Sequence, residues 1–175
     1  GRGFDDTHRL QPEPIAKTAL AVAKFAGAAR LAGAASIRAI ATSAARDALN
    51  ADELLAAVEK ASGLRMEIIS GDREAELAFQ GVTTDPELAT QPLLLLEAGG
   101  GSTQFILGQG GHRHFSASFP MGTVRLLEKI PHSDPPRPEE LAACRRWLRD
   151  FLANTVRPRL EPAMFREIQL HPASG

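Results

Sequence analysis

The sequence has little of several things, and each shortage excludes a class of protein. It holds one cysteine, Cys144, no tyrosine, and an aromatic share of only 5%. A single thiol excludes an internal disulfide framework and any multi-cysteine zinc site, and it fits a reducing cytoplasm. So few aromatics leave little on which to build a base-stacking platform. No run of about 18 uncharged apolar residues exists, so no membrane-spanning segment is expected. The nearest run, Ala19 to Ile37, is interrupted by Lys24 and Arg30. Charge of one sign is missing too: 20 lysines and arginines meet 21 aspartates and glutamates, a net of −1. That balance argues against a nucleic-acid partner. What remains, 43% apolar and 23% charged over 175 residues, is an ordinary globular composition able to bury a core.

The balance is an average of unlike parts. Residues 47–97 carry eleven acids against three bases, whereas residues 137–159 carry six arginines against three acids. The arginine segment reads as a solvated helix face or, alternatively, a track for a polyanion.

Along the chain, Pro12-Glu13-Pro14 opens an alanine-rich helical pattern to about Leu31, with proline at its start. A strand is expected over Ser36–Ala41. A capping box at Asn50-Ala51-Asp52-Glu53 then begins a helix that stops at Gly63. Met66–Ile69 reads as a strand, and Ser70-Gly71 starts a helix to about Gly81. This alternation is α/β grammar. The polar segment Thr83–Pro92 reads as a hinge. The domains expected are therefore 1–84, the later part of a first lobe, 85–92, a linker, and 93–175, the opening of a second lobe. Leu93–Leu96, Phe105–Leu107 and His112–Phe119 read as antiparallel strands, with a glycine turn at 108–111. Met121–Ile130 and Glu139–Val156 read as helices, the latter with Leu141, Cys144, Leu148, Phe151 and Leu152 on one stripe. Glu167–His171 is expected to be a final strand.

Three residue groups carry chemistry. Gly99-Gly100-Gly101-Ser102-Thr103 lies between two expected strands. Successive glycines are costly there unless the backbone must approach something closely. One reading is a phosphate cradle, with the amides of Gly100, Gly101 and Ser102 and the hydroxyls of Ser102 or Thr103 as donors; the other is a flexible hairpin turn. Glu74 shares a helix face with Leu77, Ala78 and Gly81. A carboxylate on an apolar face suits a general base in a cleft, and it also suits the helix N-terminus. Arg46, in Thr42-Ser43-Ala44-Ala45-Arg46-Asp47 after a strand, suits an oxyanion partner, while Thr42 or Ser43 equally suits a cap. His112 and His114 show no third ligand for a metal.

In order and spacing, four stretches resemble the exopolyphosphatase / guanosine pentaphosphate phosphatase family. They are Ala39–Ala48, Glu67–Val82, Gly99–Thr103 and Met121–Leu126. The resemblance implies a two-lobed actin-like (ribonuclease H-like) phosphotransferase fold. It implies Mg²⁺-assisted hydrolysis of terminal phosphoanhydride bonds in inorganic polyphosphate or pppGpp, in the cytoplasm, by a protein that forms homodimers when full length. It further implies that Glu74 activates the attacking water, that Arg46 lies near the phosphates, that Gly99 to Ser102 form a phosphate loop, and that Glu97 is a metal ligand. Two positions depart from the family pattern, Glu97 where it writes Asp and Gln104 where it writes Glu. They motivate an alternative, a phosphate- or nucleotide-binding module with impaired catalysis. A sugar or acetate kinase of the same fold lacks the segment around Glu74. The family's first phosphate loop is expected upstream of Gly1, so the chain is expected to be the middle of a longer protein and nearly inactive alone.

Overall fold

The computed structural model describes residues 4–130 and 132–170, without the side chains of residues 5, 6 and 166–170. Two compact units divide the chain, Gly1–Gly71 and Asp72–Gly175.

In the first unit the elements are α1 (Phe4–Thr7), α2 (Pro12–Leu31), β1 (Ala39–Ala41), α3 (Ser43–Arg46), α4 (Ala51–Ser62) and β2 (Met66–Ile68). Proline stands in the first turn of α2, where its missing N–H costs nothing. α4 stops where Gly63 turns left-handed at φ 71°. β1 and β2 pair in parallel, Ala39 opposite Met66 and Ala41 opposite Ile68. The expected strand from Ser36 shortens to Ala39–Ala41 because β2 offers only three partners. Ile15 and Ala19 of α2 pack on Leu54 and Val58 of α4 and on Ala45.

The expected capping box at Asn50 does not form. The Asn50 side chain is buried and pairs instead with the backbone of Leu10, accepting its N–H at 2.8 Å and donating to its carbonyl at 3.0 Å. Glu53 turns outward to Arg9 at 3.4 Å. Two bonds to a sequence-distant backbone displace one exposed cap bond, since an unpaired buried polar group is the costlier alternative.

Elements of the second unit are α5 (Gly71–Val82), α6 (Pro86–Thr90), β3 (Leu93–Ala98), β4 (Thr103–Gln109), β5 (His112–Phe119), α7 (Thr123–Lys129), α8 (Pro138–Phe151), a π-helical turn (Leu152–Val156) and α9 (Arg157–Leu170). The expected antiparallel strands are present, in order β3-β4-β5. Gly110 and Gly111, at φ 61° and 75°, make the two-residue turn between β4 and β5. One face of the sheet packs on α5 through Ile106, Leu93, Leu95, Ala75 and Phe79. On the other face Phe105, Ala117 and Phe119 meet Trp147, Leu148, Phe151, Val156 and Leu160. β4 is therefore buried from both sides.

Three local expectations change. The segment read as a linker holds α6, started by Asp85, whose carboxylate accepts the amides of Glu87 and Leu88 at 2.9 and 3.3 Å. α5, expected ahead of the linker with the first lobe, groups by packing with the second unit, since Phe79 and Ala75 are buried against its sheet. No strand begins at Glu167, since α9 continues through Leu170, and four residues are too few for alternation to be told from a helical period. His171 lies outside the described residues. The arginines of 137–159 are exposed. Arg137 pairs with Glu140 at 2.8 Å, Arg157 with Glu161 at 2.6 Å, and Arg159 lies over the Phe119 ring.

Two stability predictions follow from these contacts. Asn50→Ala leaves both Leu10 backbone groups unpaired and lowers unfolding stability by roughly 1–3 kcal/mol, read by urea denaturation; an unchanged midpoint contradicts the pairing. Glu140 accepts bonds from Arg137, first through its guanidinium and then its backbone N–H, and from Ser133, which together hold its carboxyl well below the usual range. A depressed folded pKa contributes stability above the unfolded carboxylate value of about 4.3, lost as pH falls through the folded value. Glu140→Gln should therefore lower Tm at neutral pH, and the difference should begin to shrink only as pH falls below about 4.3.

Candidate phosphate-binding site

The β3–β4 connection, Gly99–Ser102, is held by its carbonyls. Thr123 N–H donates to Gly99 O at 2.9 Å, and Val124 and Arg125 N–H donate to Gly100 O at 3.0 and 3.2 Å. The Arg125 side chain donates from Nε to Gly101 O at 3.0 Å. Ser102 O accepts the Gly99 amide at 2.9 Å. In a planar trans peptide the C=O and the following N–H point in opposite directions. With the carbonyls of Gly99, Gly100 and Gly101 turned to α7, the N–H groups of Gly100, Gly101 and Ser102 turn away from it. Among the described residues these three amides donate to no backbone carbonyl. Successive outward amides form an anion-binding concavity.

None of Gly99, Gly100 and Gly101 has a positive φ, so left-handed backbone does not explain the run; the tight approach falls instead at the residue the loop packs against. Gly122, just before α7, lies so close to the loop that an added Cβ would stand 2.2 Å from Gly100 O and 2.5 Å from the Gly101 carbonyl carbon. Part of the close approach expected from the glycine run is thus met by the chain itself. Thr103 is buried, and its hydroxyl donates to Met121 O; that proton is committed to the scaffold. Gly122 and Arg125 belong to the Met121–Leu126 stretch, yet spacing alone assigned them no role. A glycine before a short helix, followed three residues later by arginine, was the available signal.

Glu97 ends the row Leu93, Leu95, Glu97 that faces α5. Its carboxyl lies above its ordinary value, first because of partial burial and then because of the negative charge of Glu74. The charge of Glu74 on α5 is therefore felt at Glu97 on β3. Gln104 sits directly opposite Glu97 and is buried. A neutral amide there avoids a like-charge pair across the strands and the cost of a buried carboxylate.

Glu74 is half-buried on the flank of α5, not at the centre of its apolar face. The expected face, with Leu77, Ala78 and Gly81, is rotated in the structure to Ala75, Ala78 and Phe79. Gly108 supplies the reason: an added Cβ there would stand 2.4 Å from the Phe79 ring, so the ring seats on bare backbone and sets the helix face. Arg46 belongs to the first unit, where Nη1 donates to Ile69 O at 2.8 Å and ties α3 to the end of β2. Among the described residues no three His, Cys, Asp or Glu side chains gather as a metal site, and no helix is long and apolar enough to cross a membrane.

Comparison with known proteins bears on this arrangement. Residues 1–163 match the model of the Ppx/GppA phosphatase family. The chain is 38% identical over 170 residues to "Exopolyphosphatase 2" of Mycobacterium tuberculosis, covering 94% of this chain and 50% of that protein. It is 30% identical over 150 residues to "Exopolyphosphatase 1" of Mycobacterium leprae, covering 86% and 44%. Among solved structures, an exopolyphosphatase from Cytophaga hutchinsonii superposes with a TM-score of 0.76 at 27% identity, over 87% of this chain and 49% of that one. An Aquifex aeolicus Ppx/GppA phosphatase does so with a TM-score of 0.61 at 30% identity, over 87% and 50%. The chain thus spans about half the length of the relatives it matches. The fold is the α/β, actin-like one expected, and the chain belongs to the Ppx/GppA phosphatase family.

Proposed function

We propose that this chain is part of a phosphohydrolase that removes terminal phosphate from inorganic polyphosphate or from a guanosine polyphosphate such as pppGpp. One observation carries the reading: three backbone amides, turned outward by the α7 contacts, follow directly on the strand that bears Glu97, whose carboxyl is raised by burial and by the charge of Glu74. Phosphoryl transfer needs mainly positioning and electrostatic stabilisation. The amides of Gly100, Gly101 and Ser102, with the Ser102 hydroxyl, bind the oxygens of the terminal phosphoryl group. Glu74 takes the proton of the attacking water as its oxygen bonds to phosphorus, and the bridging oxygen leaves with the shortened chain. Arg46 is assigned to phosphate oxygens by its motif alone.

The donor set suits a hard divalent cation. Mg²⁺ is commonly held by one or two carboxylates together with substrate phosphates, and a cation beside Glu97 would favour its charged form against the burial and the Glu74 charge that raise its carboxyl. Glu97 is the ligand proposed. When bound, the metal would withdraw charge from the transferring phosphoryl group. The homodimer and the cytoplasmic location implied by the family are part of the same proposal.

A second reading, a phosphate- or nucleotide-binding module with impaired catalysis, draws on buried Gln104 opposite Glu97, where a family glutamate would add charge. Tight polyphosphate or pppGpp binding by calorimetry, with no turnover under any divalent metal, would favour it.

For the leading reading, Glu74→Gln in the complete gene product should lower kcat for phosphate release from polyphosphate by about 10²–10⁴. An unimpaired variant removes Glu74 as the base. Glu97 offers a readout without turnover. Its folded pKa is raised, so its contribution to stability is full below the unfolded value and declines as pH rises through the folded one. Without metal, Glu97→Gln should therefore match or slightly exceed the unsubstituted chain in Tm at pH 7. Added Mg²⁺ should raise Tm only where Glu97 is retained; equal shifts in both would remove Glu97 as the ligand.

A further inference from the structure

Arg113 lies on β5, on the sheet face that carries α5, and its side chain is only 18% exposed. Its guanidinium grips α5 at two points, Nη1 to Asp72 Oδ1 at 2.7 Å and Nε to Glu76 Oε2 at 3.0 Å. It also donates to the Ser116 hydroxyl, which lies 3.4 Å from Asp72 Oδ1. Asp72 and Glu76 stand two residues before and two after Glu74. At about 100° per residue both lie on the helix flank away from it. The sheet order has the same sense: Glu97 is on β3, Ile106 under the helix on β4, and Arg113 on β5.

Packing alone would hold this helix loosely against rotation about its own axis. The contact beneath it is small, made by Ala75, Ala78 and one ring, Phe79, seated on Gly108. A narrow apolar contact opposes separation more than roll, whereas a two-point ionic grip on one flank fixes the roll directly. With side-chain tips about 6 Å from the axis, a roll of about 20° sweeps the opposite flank by roughly 2 Å. A misplacement of about 1 Å can already cost a factor near 10² in rate.

We infer that Arg113 is a positioning residue for Glu74: by gripping Asp72 and Glu76 on one flank of α5 it sets the roll of the helix, and so the place of Glu74 relative to Glu97 on the other. This rests on the reading of Glu74 as the proton acceptor. Arg113 touches neither substrate nor water in it and acts only through the helix.

The test compares Arg113→Met, Arg113→Lys, Glu74→Gln and Phe79→Leu in the complete gene product. Phe79→Leu keeps an apolar side chain over Gly108, and so the same side of α5 toward the sheet, while it loosens the contact and leaves the ion pairs intact. With phosphate release from polyphosphate as readout, Arg113→Met should lose about 10- to 100-fold in kcat with KM within about twofold. Arg113→Lys should recover most of the loss, and Phe79→Leu should keep kcat within about threefold despite a lowered Tm. A kcat for Arg113→Met within about threefold of the unsubstituted enzyme, beside an inactive Glu74→Gln, overturns the inference and leaves the catalytic reading standing. A loss that Phe79→Leu matches at equal Tm overturns it as well. An active Glu74→Gln sinks the catalytic reading. The grip is then judged by amide exchange over Asp72–Ala75, which should be at least about tenfold faster in Arg113→Met than in Phe79→Leu; equal protection overturns the grip itself.

Discussion

The carbonyls of Gly99, Gly100 and Gly101 are held by the first turn of α7, and the chemistry available to the second unit depends on that hold. Peptide planarity turns each captured carbonyl into an N–H aimed the other way. Selecting the direction therefore needs no side chain in the loop, only a neighbour that takes the oxygens. Gly122 makes the neighbour's approach sterically feasible, and Arg125 takes the one carbonyl that the helix amides do not reach. The loop, the residue before α7 and the arginine within α7 thus form one device, although twenty or more residues separate them along the chain.

The same unit couples that device to a helix. β3 carries Glu97 one residue before its end and runs directly into the glycine loop, while α5 packs on the face that holds Leu93, Leu95 and Glu97. Two features locate α5, a ring set on bare glycine backbone and an arginine holding two acids. Glu97 thus lies on a strand that leads into a hydrogen-bonded loop, and Glu74 on a helix tied to the sheet by ion pairs as well as packing. Burial first, and then the charge of Glu74, raise the Glu97 carboxyl above its ordinary value.

Local signals were legible where the deciding partner lay within a few residues. Pro12, Gly63, the Gly110-Gly111 turn and the four-leucine run each marked an element boundary or type that the structure contains. The signals failed where the partner was distant. Asn50 looked like a cap because its bond to Leu10 spans forty residues. Glu74 was placed on the wrong helix face because nothing nearby shows that Phe79 must seat on Gly108. Thr103 looked like a donor to ligand until Met121 was beside it. Long-range packing decided what each of these side chains does.

The π-helical turn between α8 and α9 works as a phase adjustment. In a regular helix the stripe Leu148 and Phe151 would pass to Leu152 and then to residue 155. The extra residue in Leu152–Val156 moves the inward position to Val156, which is nearly fully buried, while Leu152 is 38% exposed. Leu160, four residues further on, then falls on the same side and reaches the core beneath Phe119. One added residue thus behaves like a tooth skipped on a gear. Residues before and after the turn thereby pack on the same sheet face, and the chain beyond the turn takes its angular register from that one residue.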